Sequence, residues 1–235
     1  MGTRRNRVTV ATVKLWHHEV GAVAWDTERG LGRFEFAPGF LQTGLPVAPL
    51  TLPLRPGIVS FPELDPATYH GLPGLLSDSL PDRFGNAVID LWLQLQGRDP
   101  ADFSPVERLC YIGARGMGAL EYEPALGPRA GKTVPLEVAE LVQLAAAILH
   151  DRQALATNLR DDDSRAVDQI FRVGTSAGGA RAKAVVAWNP TSGEVRSGQV
   201  PVPAGFEPWI LSSTACTTPP SATPRATAAW STPTT

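Results

Sequence analysis

Residues 123–133 read Glu-Pro-Ala-Leu-Gly-Pro-Arg-Ala-Gly-Lys-Thr, and no other stretch limits the fold as much. Pro124 and Pro128 fix φ and donate no backbone hydrogen bond, while Gly127 and Gly131 are entropically costly in any regular element. A continuous helix or central strand cannot cross such a run, so it reads as a linker between separately built parts. In 235 residues that leaves room for two modest domains, and a hydrophobic content of 43% suffices for a packed core. The expected division is a subdomain over residues 1–125, a second part over 126–211 and a tail over 212–235.

The first part alternates short β-prone runs with turns. Residues 8–16 and 20–26 are strand-like, with a turn at His17, His18 and Glu19 between them. A second turn is expected over 27–32, and Phe34-Glu35-Phe36 then alternates until Pro38-Gly39 breaks the pattern. Adjacent histidines on a strand face opposite ways and no third ligand lies near, so His17-His18 reads as a turn and not a metal site. Residues 50–58, with Pro53 and Pro56, are extended but ill suited to a central strand.

Pro81 and Asp82 suit the first turn of a helix in which Phe84, Val88, Leu91 and Leu95 recur at helical spacing. Gly97 and Pro100 mark its stop. Ser104-Pro105-Val106-Glu107 is a capping box, after which Val106, Leu109 and Cys110 point inward. Gly113, Gly116 and Gly118 then punctuate a tight loop before a strand at 119–122. Arg115 in that loop reads as a turn residue in preference to an anion ligand.

Beyond the linker, Leu141, Leu144, Ala145 and Ile148 share one face of a helical pattern. His150-Asp151-Arg152 and Asn158 have neither the order nor the interval of a kinase catalytic loop. The contiguous Asp161, Asp162 and Asp163 read as capping or solvated residues, with Ser164 capping a helix over 165–171. Residues 172–186 follow: Arg-Val-Gly-Thr-Ser-Ala-Gly-Gly-Ala-Arg-Ala-Lys-Ala-Val-Val. Small side chains let backbone amides approach an anion closely and form a concave nest for phosphate. Gly174 and Gly179 have the Walker A spacing, but Ala180 stands where lysine is required, and Gly-x-Gly-x-x-Gly is absent. On local residues alone this is a glycine-rich loop leading into a hairpin over 184–200, with one more strand at 208–211.

Three blocks together resemble the HipA family of toxin kinases: Gly74-Leu-Leu-Ser-Asp-Ser-Leu-Pro-Asp82, Leu109-Cys-Tyr-Ile-Gly-Ala-Arg-Gly-Met-Gly-Ala-Leu-Glu121 and Ser176-Ala-Gly-Gly-Ala-Arg-Ala-Lys183. Their order matches as well, and the resemblance covers about residues 8–211. It implies an α+β protein: a HipA-like N-terminal subdomain followed by an incomplete protein-kinase-like nucleotide-binding lobe. It further implies a serine/threonine kinase toxin of a type II toxin–antitoxin pair, using ATP and Mg²⁺. The implied ATP-binding residues are Ser176, Ala177, Gly178, Gly179, Ala180, Arg181 and Lys183, with Ser176 where the family carries its autophosphorylated serine. Arg181 and Ala182 depart from a more usual Gln-Glu. A catalytic or metal-holding residue is assigned nowhere in the chain, because the family's two aspartates for those tasks follow later.

The resemblance stops after Leu211, and Ser212 occupies the place of an ATP-contacting lysine. Residues 212–235 are almost wholly Ser, Thr, Pro and Ala, a composition expected to stay disordered. Back-translated with GC-rich codons and one A restored, they begin with lysine, which reads as a frameshifted tail on a truncated kinase. Such a chain is expected to be inactive. The alternative is a non-catalytic module that docks a DNA-binding antitoxin. A net charge of −2 and a pI near 6.1 give no basic field for nucleic acid, so any DNA contact is expected to be indirect. Cys110 and Cys216 form no disulfide framework, and neither a signal peptide nor a membrane span is evident; a cytoplasmic protein is expected.

Overall fold

The computed structural model describes residues 7–116, 118–127, 183–198, 202, 204–212 and 229–231. They are helix and sheet mixed, in two compact units. The first comprises residues 1–80 and 101–127, the second residues 81–100 and 128–235.

The first unit opens with β1 (Val10–Leu15), β2 (His18–Asp26) and β3 (Leu31–Phe36), followed by α1 (Pro38–Thr43), the two-residue β4 (Ile58–Val59), and the single turns α2 (Pro66–Tyr69) and α3 (Gly74–Ser77). Residues 81–100, carrying α4 (Arg83–Leu95), cluster with the second unit. The chain then returns to the first unit as α5 (Pro105–Ile112) and β5 (Leu120–Glu123). The sheet order is β4-β3-β2-β1-β5, antiparallel throughout.

Alternation builds the sheet's inner face. In β3, Gly32, Phe34 and Phe36 are buried while Arg33 and Glu35 are exposed. In β1, Ala11 and Val13 face inward. The β1–β2 register slips between Val13 and Lys14, which pair with Gly21 and Glu19 and leave Val20 as an extra residue. This bulge sends both Val20 and Gly21 inward, and the Val20 carbonyl accepts from Ala37 N at 2.9 Å instead of serving the ladder. Gly21 is required by close approach. A Cβ there would lie 2.2 Å from the Glu35 carbonyl oxygen and 2.9 Å from Phe34 Cζ.

Phe34 meets Phe36 edge-on at 4.9 Å, and Phe36 stacks on Phe40 of α1 at 6.0 Å. α5 covers the sheet at β1, β2 and β5. Its capping box forms as expected: Ser104 Oγ accepts from Glu107 N, and Glu107 Oε2 accepts from Ser104 N, both at 3.1 Å. Val106, Leu109 and Cys110 are fully buried.

Several boundaries differ from the sequence expectation. The first turn is Trp16-His17 and not His17–Glu19, because the bulge draws His18 and Glu19 into β2. The second turn ends at Gly30, as Leu31 and Gly32 already pair with Asp26 and Trp25. Asp82 lies outside α4 as its N-cap, so Pro81 precedes the helix rather than entering it. Leu95 is 44% exposed, whereas Phe84, Val88 and Leu91 are buried as expected.

In the second unit α4 buries Phe84, Gly85, Ala87, Val88, Ile89, Leu91 and Leu93, a wider face than the expected stripe. The other described elements are β6 (Lys183–Trp188), β7 (Val195–Ser197), β8 (Glu207–Ser212) and β9 (Ala229–Ser231), ordered β7-β6-β8-β9 and antiparallel. Trp188 and Trp209 sit diagonally across the ladder, edge-on at 5.8 Å. A Cβ on Gly198 would lie 2.8 Å from Val185 Cγ1.

The expectation that residues 212–235 add no element is corrected at two places. Ser212 completes β8, and 229–231 pair with it as β9. A polar tail can still add a strand, since ladder bonds come from the backbone and need no apolar side chain. The helical patterns expected over 134–171 lie outside the described residues. No helix among the described residues is long and apolar enough to cross a membrane.

Candidate functional site

Of the seven residues assigned to a phosphate loop, Ser176, Ala177, Gly178, Gly179, Ala180 and Arg181 lie outside the described residues. Lys183 is described. It opens β6, half-buried, with Ser212 as its Cα partner on β8. The register therefore sets the position that the resemblance reserves for an ATP-contacting lysine directly across the ladder from Lys183.

Lys183 acts electrostatically on Asp82, a residue that sequence reasoning took only as a helix-dipole complement. Asp82 Oδ1 accepts from Gly85 N at 2.8 Å, satisfying one orphan amide of α4. Burial raises the Asp82 carboxyl above its ordinary range, opposed by the Gly85 and Phe84 amides and then by the Lys183 charge. The second unit thus holds a cation and a half-buried carboxylate within electrostatic reach of each other. The Pro-Asp pair before an apolar periodic run was the available signal for the cap; the reach to Lys183 had none.

The first unit carries a groove of about 550 Å³ between the β1–β2 turn and α1. Leu15, Trp16, Ala37, Pro38, Phe40 and Leu45 supply its apolar lining, with His18, Glu19, Gly39 and Thr43 completing it. Trp16 is 69% exposed and Leu45 47% exposed, so two large apolar side chains are left partly in water. Sequence reasoning missed this groove, because Trp16 reads there as the last residue of a strand. His17 does occupy the turn, 88% exposed, with Nδ1 3.2 Å from Glu121 Oε2.

Arg115 is turned inward. Its guanidinium donates to the Tyr111 carbonyl oxygen and lies 4.9 Å from the Tyr111 ring centroid. Burial pushes the Tyr111 hydroxyl up to about 12 and the Cys110 thiol also to about 12. Cys110 carries a free thiol that stays protonated at neutral pH, which makes it a poor nucleophile and metal ligand. Among the described residues no three His, Cys, Asp or Glu side chains gather as metal ligands would.

Residues 11–123 match the family model described as the HipA N-terminal domain. The match starts in β1 and ends with the last residue of β5, so it spans the whole five-stranded sheet and includes α4. No curated protein matches the chain.

Proposed function

Because residues 11–123 are a HipA N-terminal domain, the chain is a HipA-family protein, and we propose that it derives from the serine/threonine kinase toxin of a type II toxin–antitoxin pair. The domain match carries this reading. Further along the chain, residues 176–183 offer small side chains and a cation for the phosphates of ATP, and Lys183 opens β6, the strand between β7 and β8 in an antiparallel sheet. The Lys183 ammonium fits a phosphate ligand, with Asp82 near enough to compete for its charge. When bound, ATP with Mg²⁺ would supply the phosphoryl group.

Phosphoryl transfer also needs metal-holding carboxylates and a positioned base, and none is recognisable in residues 1–235. Losing one preorganised electrostatic contact commonly costs ~10²–10³ in rate, and residues 1–235 taken alone offer few such contacts. Residues 1–235 are therefore expected to show no autophosphorylation of Ser176 with labelled ATP and Mg²⁺. A frame-restored chain, with lysine at position 212 and the sequence that follows, is expected to label it. Label on Ser176 in residues 1–235 would overturn the expected inactivity, and failure of the restored chain to bind ATP would overturn the kinase reading.

A second reading, a non-catalytic module that docks a DNA-binding antitoxin, rests on residues 11–123 alone making up a HipA N-terminal domain with its own sheet and core. The test is gel filtration of the full chain with any DNA-binding protein encoded beside it. Separate elution at micromolar concentration would count against docking.

A further inference from the structure

We draw no further inference here: the strongest candidate, the apolar groove between the β1–β2 turn and α1, carries nothing because no feature of the structure shows what covers it.

Discussion

Trp16 and His17 join β1 to β2 with no glycine, asparagine or aspartate between the strands, whereas Asn189–Gly193 join β6 to β7 with turn chemistry throughout. Both residues of the first turn have positive φ, +48° and +68°, a region that costs ordinary side chains roughly 1–2 kcal/mol each. His17 Nδ1 makes an exposed contact to Glu121 Oε2 on β5, at 3.2 Å. The turn is held from outside, by the β1–β2 register on one side and the β1–β5 pairing on the other. In the second turn Asn189 Oδ1 accepts from Thr191 N and Ser192 N at 2.9 and 3.1 Å, and Gly193 takes φ +73°. One hairpin is fixed by the sheet around it; the other carries its own instructions.

The largest effect expected from that contrast lies in the first core. Phe34→Ala removes a fully buried ring that contacts Phe36, and should cost about 3–5 kcal/mol in urea unfolding. If the β1–β2 turn depends on this core, its exposed Trp16 should change fluorescence in the same transition. A Trp16 signal that survives loss of the core would break the comparison.

Alkaline pH should separate the two units next. A thiol ionises near 8.5 in an unfolded chain, yet burial holds Cys110 protonated up to about 12, and Tyr111 is likewise held up to about 12. The native state then binds more protons than the unfolded one between these values. The stabilisation is complete below about pH 8.5 and is lost as pH rises toward 12, at about 1.4 kcal/mol per pH unit for each group once its unfolded form is ionised. Tyr122 is shifted upward too, first by burial. The second unit has no cysteine or tyrosine among its described residues. Its unfolding, followed with a probe on β6–β8, should shift less over that window, and equal shifts would contradict the assignment.

Smaller again is the cap of α5. Ser104→Ala removes the acceptor for Glu107 N, while the backbone N–H at 104 still donates to the nearly inaccessible Glu107 carboxylate. About 1 kcal/mol of stability should go, measurable as a lower melting temperature, and Ser104→Thr should restore most of it. Changes no larger than the cap's are expected in the turns themselves. Trp16→Asn combined with His17→Gly supplies residues suited to positive φ and should gain up to about 1 kcal/mol. Gly193→Ala should lose about 1 kcal/mol. A gain in the first hairpin together with a loss in the second would sharpen the contrast; the reverse signs would remove it.

These turns also mark how far the sequence can be read. The capping box at Ser104–Glu107 was legible because its two hydrogen bonds are local and the residue types at that spacing have few alternatives. The alternation of Phe34 and Phe36, and the hairpin at Asn189, were legible for the same reason. The bulge at Val20 was not, since it depends on the Ala37 amide and on β3 passing too close for a side chain at Gly21. Nor was β9, which depends on the open edge of β8 more than on its own residues. At the candidate site, Lys183 stood out in a glycine-rich string. Asp82 did not, because its reach to Lys183 spans about a hundred residues of sequence. Arg115 reads in sequence as a turn residue in preference to an anion ligand, and the structure turns its guanidinium onto the Tyr111 carbonyl.

The pairing of β1 with β5 has a consequence for the order in which the chain can fold. Thr12 pairs with Glu123, so β1 waits through about a hundred residues of synthesis before its outer neighbour exists. At about 5–20 residues per second that is roughly 5–20 s on the ribosome. During that interval β1–β2–β3 can form by local hairpin closure, but β1 offers an open row of backbone donors and acceptors. The seven buried residues of α4 wait as well, because the rest of its unit begins only at Pro128. Contacts of such wide sequence separation slow folding and leave the nascent chain exposed to mispairing. The bulge at Val20, which bends and twists that waiting strand pair, makes the open edge a poorer template for another chain.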